Sequence, residues 1–119
     1  MTNQSTTLDL LFRAMADPTR RAVLERLGRG KAPVGELARP FKMALPSFMQ
    51  HLDVLEQSGL IHSTKLGRVR TCELNGTRLS EAEGWLAKQR RIWERRLDQL
   101  DAHLIDMKKL HVAKKRRNR

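Results

Sequence analysis

The sequence predicts a small, mainly α-helical domain that contains one β-hairpin and continues into one long helix. Apolar residues recur at helical spacing in four short segments before residue 60, a period-two pattern surrounds Gly67, and a heptad-like repeat follows in the last third of the chain. With 119 residues, 39% of them hydrophobic and 31% charged, the chain suits a single globular domain with a modest core.

The first two helices are indicated by their apolar faces and by one clear start signal. Residues 1–7 are polar and are expected to form a flexible N-terminus. A first helix follows from residue 8. Its inward face consists of Leu8, Leu11, Phe12 and Met15. A second helix begins after Asp17, whose carboxylate can cap the free amide groups, with Pro18 in the first position.

Two further short helices, joined by a tight turn, predict a helix-turn-helix. The third helix lies within the segment APVGELARPF and is stopped by Pro40. The fourth covers about Pro46–Ser58, in the segment MALPSFMQHLDVLEQSGLI. Its inward face consists of Phe48, Leu52 and Leu55. Its opposite face carries Ser47, Gln50 and Asp53, with an exposed Met49 among them.

A β-hairpin is predicted around Gly67, in the segment LIHSTKLGRVRTCELN. The alternation after the turn places Arg70, Cys72 and Leu74 on one face. The basic side chains near the tip are Lys65, Arg68 and Arg70. In this order, the helices and the hairpin predict a winged helix-turn-helix over residues 8–77. Its fourth helix offers a polar face that could enter the major groove of DNA.

A long C-terminal dimerisation helix is predicted from residue 78 to residue 110. Its apolar residues lie 4, 3, 4 and 3 positions apart, which is typical of a helix that packs against another helix. The seam consists of Trp93, Leu97, Leu100, Leu104 and Met107, with Trp85 and Leu86 upstream. A domain of this size cannot cover so long a seam, so we expect a homodimer.

The charge of the chain indicates an anionic partner. There are 24 Lys and Arg residues against 13 Asp and Glu, which gives a net charge of +11. Seven of the cations fall in the last twelve residues, and residues 1–107 keep a net charge of +4. Double-stranded DNA is the expected partner. Residues 111–119 form a basic tail, which could instead serve only solubility or bind nucleic acid without selectivity.

The sequence also indicates the cellular compartment of the protein. No apolar run is long enough to cross a bilayer, and the first residues do not resemble a secretory signal. The single cysteine, Cys72, cannot form an internal disulfide, which suits a reducing compartment. We therefore expect a cytoplasmic protein with no membrane partner.

Three segments resemble the DNA-binding core of ArsR-type transcriptional repressors: FRAMADPTRRAVLERL, VGELARPFKMALPSFMQHLDVLEQSGLI and KLGRVRTCELN. The resemblance runs from about Leu8 to Leu110. The segment GWLAKQRRIWERRLDQLDAHL is similar to a metal-independent branch of the family, whose genes often neighbour those of START-like lipid-binding proteins. The resemblance implies a winged helix-turn-helix homodimer that binds an inverted-repeat operator and represses transcription, often of its own operon.

The resemblance further implies roles for individual residues. The family's base-reading positions fall at Leu45, Pro46, Ser47, Met49 and Gln50. His51 matches a histidine that is common at the end of that motif. The family's wing is matched by Lys65, Arg68 and Arg70, which should lie along the DNA backbone or the minor groove. Gln50 is the strongest candidate for direct readout, because its amide can pair bidentately with adenine.

The sequence departs from the family pattern at two positions of the fourth helix. The family usually has Ser or Thr where Ala44 stands, and loss of that cap weakens the helix start by about 1 kcal/mol. The family usually has Ser where Met49 stands. Met49 offers an apolar contact, for example with a thymine methyl group, in place of the hydrogen bond that Ser would make.

Metal binding, cofactors and catalysis are not expected. The third helix lacks the cysteine pair of metal-sensing members. Asp101 and His103 begin a ligand pattern known in other members, but Lys114 stands where a distal histidine would be needed. No nucleophile with a positioned base or phosphate-cradling glycine loop is recognisable. Two alternatives stay open: a winged helix whose long helix docks a protein partner, and a metal-responsive repressor.

Overall fold

The computed structural model describes residues 4–117 and the side-chain surroundings of residues 6–115. Five helices and three strands follow one another along the described chain. They are α1 (Gln4–Met15), α2 (Pro18–Leu27), β1 (Ala32–Pro33), α3 (Val34–Ala38), α4 (Leu45–Gln57), β2 (Ile61–Leu66), β3 (Val69–Leu74) and α5 (Gly76–Arg117). This order confirms the predicted fold class, mainly α with a winged helix-turn-helix and a long final helix. The chain divides into two compact units, of which the second begins at Gly84.

Helices α1 and α5 extend beyond their predicted bounds. Helix α1 begins at Gln4, inside the segment predicted to be flexible, of which residues 1–3 lie outside the described residues. Helix α5 begins at Gly76 and ends at Arg117, so the predicted basic tail is helical as far as it is described. Residues 118–119 of that tail lie outside the described residues.

A further difference is strand β1, which the sequence did not predict. Ala32 pairs with Cys72 and Pro33 with Thr71, so β1 joins β3 in an antiparallel sheet of order β1-β3-β2. A two-residue strand shows no periodicity, and alanine and proline are depleted in strands. The partner strand lies some forty residues away, so no local pattern indicates the pairing.

The start of α2 confirms the predicted cap and joins the helix to α1. The Oδ2 atom of Asp17 accepts a hydrogen bond from the backbone N–H of Arg20 at 3.1 Å. The Arg20 side chain donates to the carbonyl oxygens of Ala14 and Arg13, each at 2.8 Å. A guanidinium group in this position satisfies the last carbonyls of a helix and complements its dipole.

The core confirms the predicted inward face of α4. Phe48, Leu52 and Leu55 are each no more than 1% exposed. They pack with side chains from the other elements of the first unit, among them Leu11, Val23, Leu27, Leu37, Ile61 and Cys72. Phe41, in the turn before α4, stacks on Phe48 with ring centroids 5.6 Å apart. The turn of the helix-turn-helix is therefore anchored in the same core as the helix.

The two ends of α4 are built differently. At the end of the helix, Gly59 has a φ of +81° and donates to the Glu56 carbonyl, while Leu60 donates to the Leu55 carbonyl. This is a Schellman motif, which closes the helix firmly. At the start, Ala44 has an extended backbone but supplies no side-chain hydrogen bond. The start of α4, which the sequence predicts to face DNA, is thus capped less firmly than the end of the helix.

A cap at position 44 should stabilise α4. Because Pro46 has no N–H, the acceptor at position 44 would bond the N–H of Ser47. We expect Ala44→Thr to raise the free energy of unfolding by about 1 kcal/mol over Ala44→Val, which has the same shape but no acceptor. Urea denaturation of the two variants measures the difference. Equal urea midpoints for Ala44→Thr and Ala44→Val would show that a side-chain cap does not stabilise the start of α4.

Candidate DNA interface

The exposed side of α4 carries the polar side chains of its first turns. Because the opposite side is buried, Ser47, Gln50 and Asp53 are exposed. Leu45 and Pro46 are exposed as well, and Leu45 keeps 58% of its surface. The N-cap side chain makes no hydrogen bond and the first turn contains no acidic residue. The first amide groups and the positive end of the helix dipole are therefore open to an anion such as phosphate.

Met49 is less exposed than its predicted role requires. Its side chain is half-buried, packs against the core and lines a shallow, open pocket of about 390 Å³ near β1, α3 and β3. Position 49 directly follows Phe48 and therefore lies at the edge of the buried face. The expectation of an exposed Met49 is wrong, and its contact with a thymine methyl group stays a prediction.

His51 faces α2 and not the open side of α4. Its ring Nδ1 lies 3.1 Å from Nη1 of Arg20, and its side chain is partly buried. Arginine can only donate, so Nδ1 accepts this hydrogen bond and the neutral ring carries its proton on Nε2. Oδ2 of Asp17, 3.8 Å from Nδ1, is too distant for a hydrogen bond. His51 thus holds α4 against α2, and the structure does not bring it to the predicted DNA-reading face.

Strands β2 and β3 form the wing, whose tip presents two basic side chains to solvent. Leu66 pairs with Val69 across a two-residue turn made of Gly67 and Arg68. Gly67 has a φ of +62°, and glycine at the first position of such a turn favours the type II′ geometry of twisted hairpins. Arg68 and Lys65 are exposed, as contacts with phosphate require.

Arg70, the third predicted cation of the wing, is engaged within the protein. Its Nη2 lies 2.6 Å from Oε1 of Glu56 on α4, and its Nε donates to Oγ of Ser63 at 2.9 Å. Ser63 in turn donates to Oε1 of Glu56. We call Glu56, Ser63 and Arg70 the wing strut. Because its charge is already paired, Arg70 fixes the wing to α4, and its contacts do not support the predicted role along the DNA backbone.

The wing strut shifts the pKa values of its ionisable members. Burial opposes the ionisation of Glu56, but the hydrogen bonds from Ser63 and Arg70 outweigh it and hold the pKa of Glu56 below its ordinary value. The hydrogen bond with Glu56 raises the pKa of Arg70, against the effect of burial. Both groups are therefore charged at neutral pH, and the strut is an ion pair.

Sequence reasoning missed the two residues that position this surface, Arg20 and Glu56. Arg20 contacts His51, 31 residues away, and Glu56 contacts Arg70, 14 residues away, so no local pattern indicates either of these contacts. One signal was available for the strut. The alternation of β3 puts Arg70 on the same face as Cys72, which is fully buried, and this face packs towards the helices. Burial also raises the pKa of the Cys72 thiol, as expected of a packing residue.

The second unit carries the predicted seam on the surface of α5. The seam residues keep between 49% and 67% of their surface exposed: Trp93, Leu97, Leu100, Leu104 and Met107. Trp85, upstream, is 39% exposed. Among the residues that the structure describes, no three His, Cys, Asp or Glu side chains are placed to hold a metal ion, and no helix is long and apolar enough to cross a membrane.

Comparison with known proteins gives concordant matches. Residues 15–64 match the family described as a helix-turn-helix domain. The HTH-type transcriptional regulator Rv2034 of Mycobacterium tuberculosis is 40% identical over 98 residues, which cover 82% of this chain and 88% of that protein. The transcriptional repressor SdpR of Bacillus subtilis is 34% identical over 76 residues, which cover 64% of this chain and 84% of that protein.

A solved structure agrees with both the fold and the sequence. The crystal structure of an ArsR family transcriptional regulator is similar with a TM-score of 0.74 and 54% sequence identity, and the match covers 79% of this chain and 97% of that one. The chain therefore belongs to the ArsR-type winged helix-turn-helix regulators. It is a DNA-binding regulator of transcription. Its placement in a metal-independent branch stays a prediction.

The destabilisation caused by removal of the strut carboxylate should depend on pH. A lowered folded-state pKa stabilises the fold above the ordinary pKa of glutamate, and this contribution disappears as the pH falls through the folded value. We expect Glu56→Gln to lower the free energy of unfolding by about 1–2 kcal/mol at pH 7. The deficit should shrink below about pH 4.5, the ordinary value for glutamate.

Urea denaturation at several pH values measures this difference. Glu25→Gln is the control, because Glu25 is exposed on α2 and the loss of its carboxylate leaves the wing strut intact. A deficit of Glu56→Gln that is equally large at pH 3 and pH 7 would contradict the ion-pair interpretation of the strut.

Proposed function

We propose that the protein is a cytoplasmic, homodimeric repressor that binds an inverted-repeat operator and blocks transcription of its own or a neighbouring operon. The exposed polar face at the start of α4, in the same unit as a wing with exposed cations at its tip, is the observation that carries the proposal. The similarity to SdpR, which is named as a transcriptional repressor, supports repression as the mode of action.

The start of α4 would read bases in the major groove. Gln50 is exposed in the second turn, where its amide can donate and accept towards one adenine. Ser47, in the first turn, can donate to a base edge or to a phosphate. Leu45 and Pro46 would make apolar contacts at the tip of the helix, and the open amides beside them favour a phosphate oxygen.

The wing would supply affinity with little sequence preference. Lys65 and Arg68 are exposed at its tip and can each neutralise one phosphate. The wing strut keeps the two strands against α4 through Glu56, so helix and wing would approach the duplex as one rigid surface. Arg70 then acts inside the protein and contributes indirectly to DNA binding.

Helix α5 would hold two copies of the chain together. Its seam has the spacing of a helix that packs against another helix, and its side chains are about half exposed in one chain. Full burial of such a leucine contributes roughly 1.5–3 kcal/mol, and the seam is present in both copies. A two-fold dimer presents two α4 helices to an inverted repeat, with half-sites about 10 bp apart, and excludes polymerase from the promoter.

Substitutions on α4 and on the wing should change DNA binding in different ways. Gln50→Ala should reduce the preference for the operator over single-base variants by roughly tenfold, because it removes a bidentate base contact. Arg68→Ala should weaken binding to all duplexes alike and reduce the log–log salt slope by about 0.9, because one phosphate contact is lost. Gel shifts on duplexes from the promoter region upstream of the gene, at several salt concentrations, measure both effects.

Each variant has a matched control. Gln57→Ala removes an exposed glutamine from the far end of the same helix and should leave the base preference unchanged. Arg68→Lys keeps the charge and should keep the salt slope. The residue assignment is wrong if Gln50→Ala and Arg68→Ala both bind the operator as the unsubstituted protein does.

The seam of α5 should control oligomeric state. Leu97→Asp places a charge in the middle of the seam and should convert the dimer into a monomer at micromolar concentration, with loss of operator binding. Sedimentation velocity measures the mass, and the control Gln99→Asp adds the same charge to an exposed position outside the seam repeat. A Leu97→Asp variant that sediments as a dimer would rule out the seam as the interface.

A further inference from the structure

A shallow pocket lies beside the candidate base-reading helix, between α3, α4 and the wing. Its volume is about 390 Å³, and it is open to solvent. Three parts of the first unit line it: the start of α3 with the end of β1, one side chain of α4, and the wing. The lining residues are Pro33, Val34, Gly35, Met49, Arg68, Val69 and Arg70. We call this space the wing pocket.

Strand β1 creates the wing pocket, because it brings the start of α3 beside the wing. Pro33 pairs with Thr71 of β3, and Val34 and Gly35 follow directly in the chain. Gly35 has no side chain, and a Cβ atom added there would meet no atom of another described element within 4 Å. The fold therefore leaves room on this wall, which a bound molecule can occupy.

Apolar side chains with free surface form most of the remaining lining. Val69 is 53% exposed, and Val34 and Met49 are half-buried. Methionine is flexible and polarisable, and its sulfur makes favourable contacts with aromatic rings. A concave surface with apolar walls and a small number of polar groups is the usual form of a small-molecule site. The walls of the wing pocket thus suit a small apolar body.

One of the two arginines at the wing pocket has its charge available. Arg70 is paired with Glu56, and the hydrogen bond with Glu56 and the charge of Asp53 both raise the pKa of Arg70. Arg68 is exposed and takes part in no ion pair with another described residue. A guanidinium group binds a carboxylate through two parallel hydrogen bonds. The pocket therefore favours a carboxylate that carries an apolar body.

We propose that the wing pocket binds a small monocarboxylate with a flat apolar body, of the arylalkanoate class, and that this ligand competes with DNA. Its apolar body lies against Val34, Met49 and Val69, and its carboxylate pairs with Arg68. The competition rests on the proposed function, in which Arg68 binds a phosphate and Gln50, next to Met49, reads a base. Because Arg68 cannot pair with both anions at once, each ligand lowers the apparent affinity for the other.

Direct binding is tested with the full-length, isotopically labelled protein and 3-phenylpropionate as the probe. The amide signals of Val34, Gly35, Met49 and Val69 should shift along a saturable curve. A dissociation constant of roughly 1 mM is expected for a ligand of about eleven non-hydrogen atoms in an open pocket. The neutral analogue 3-phenylpropanamide should bind roughly tenfold more weakly, because it lacks the charge that pairs with Arg68.

Two variants separate the charge from the apolar wall. Arg68→Gln should weaken binding of 3-phenylpropionate roughly tenfold. Val69→Thr keeps the shape but replaces a methyl group by a hydroxyl, and should weaken binding roughly threefold. Both positions are exposed, so the thermal midpoints should stay within a few degrees of the unsubstituted protein. Arg39→Gln is the matched control, because Arg39 is an exposed arginine at the end of α3 that does not line the pocket.

Competition is measured by fluorescence anisotropy of promoter duplexes. With the probe at ten times its dissociation constant, the affinity for DNA should fall roughly tenfold. Sodium acetate at the same concentration supplies the charge without the apolar body and is the reference.

The inference is overturned if the four amides do not shift, or if Arg68→Gln and the neutral analogue bind as tightly as the unsubstituted protein binds the probe. Equal DNA affinity in probe and acetate would overturn it as well. Failure of the protein to bind any promoter duplex without the probe would instead overturn the proposed function, and the amide titration would still decide whether the wing pocket binds the carboxylate.

Discussion

The burial of Phe48, Leu52 and Leu55 fixes the rotation of α4 about its own axis, and the candidate DNA interface depends on that rotation. Each of these side chains is at most 1% exposed, and replacement of such a residue by alanine costs about 2–5 kcal/mol. A different rotation would expose part of this face and bury Ser47 or Gln50 without partners. The helix therefore presents one surface only, and packing alone decides which side chains of α4 are available to a partner.

Electrostatic contacts then divide the cations of the first unit into two groups. Arg20 and Arg70 make contacts within the protein. Arg20 holds α4 to α2 through His51, and Arg70 holds α4 to the wing through Glu56. Lys65 and Arg68 remain exposed at the wing tip. A net charge of +11 thus overstates the charge available at this surface, since position and pairing decide which cations can reach a phosphate.

Periodicity and capping were enough to predict the helices and the hairpin, because the residues that form the buried face of each of these elements lie close together in the sequence. The inward face of α4 and the cap at Asp17 are local patterns, and both were predicted correctly. Strand β1 and the contacts of His51 and Arg70 were not predicted, because each depends on a partner far away in sequence. The family resemblance assigned roles to His51 and Arg70 from their positions in the motif, and a position in a motif does not reveal whether the side chain is already engaged within the protein.

The most direct test is to map, by NMR amide shifts, where an operator duplex contacts the isotopically labelled protein. We expect the largest perturbations at residues 45–50 of α4 and residues 65–69 of the wing, with saturation at two chains per duplex. Smaller changes should appear at Glu56 and Arg70, which connect the two segments. Perturbations confined to residues 84–117 of α5, with none on α4, would show instead that the basic helix and not the winged helix-turn-helix binds DNA.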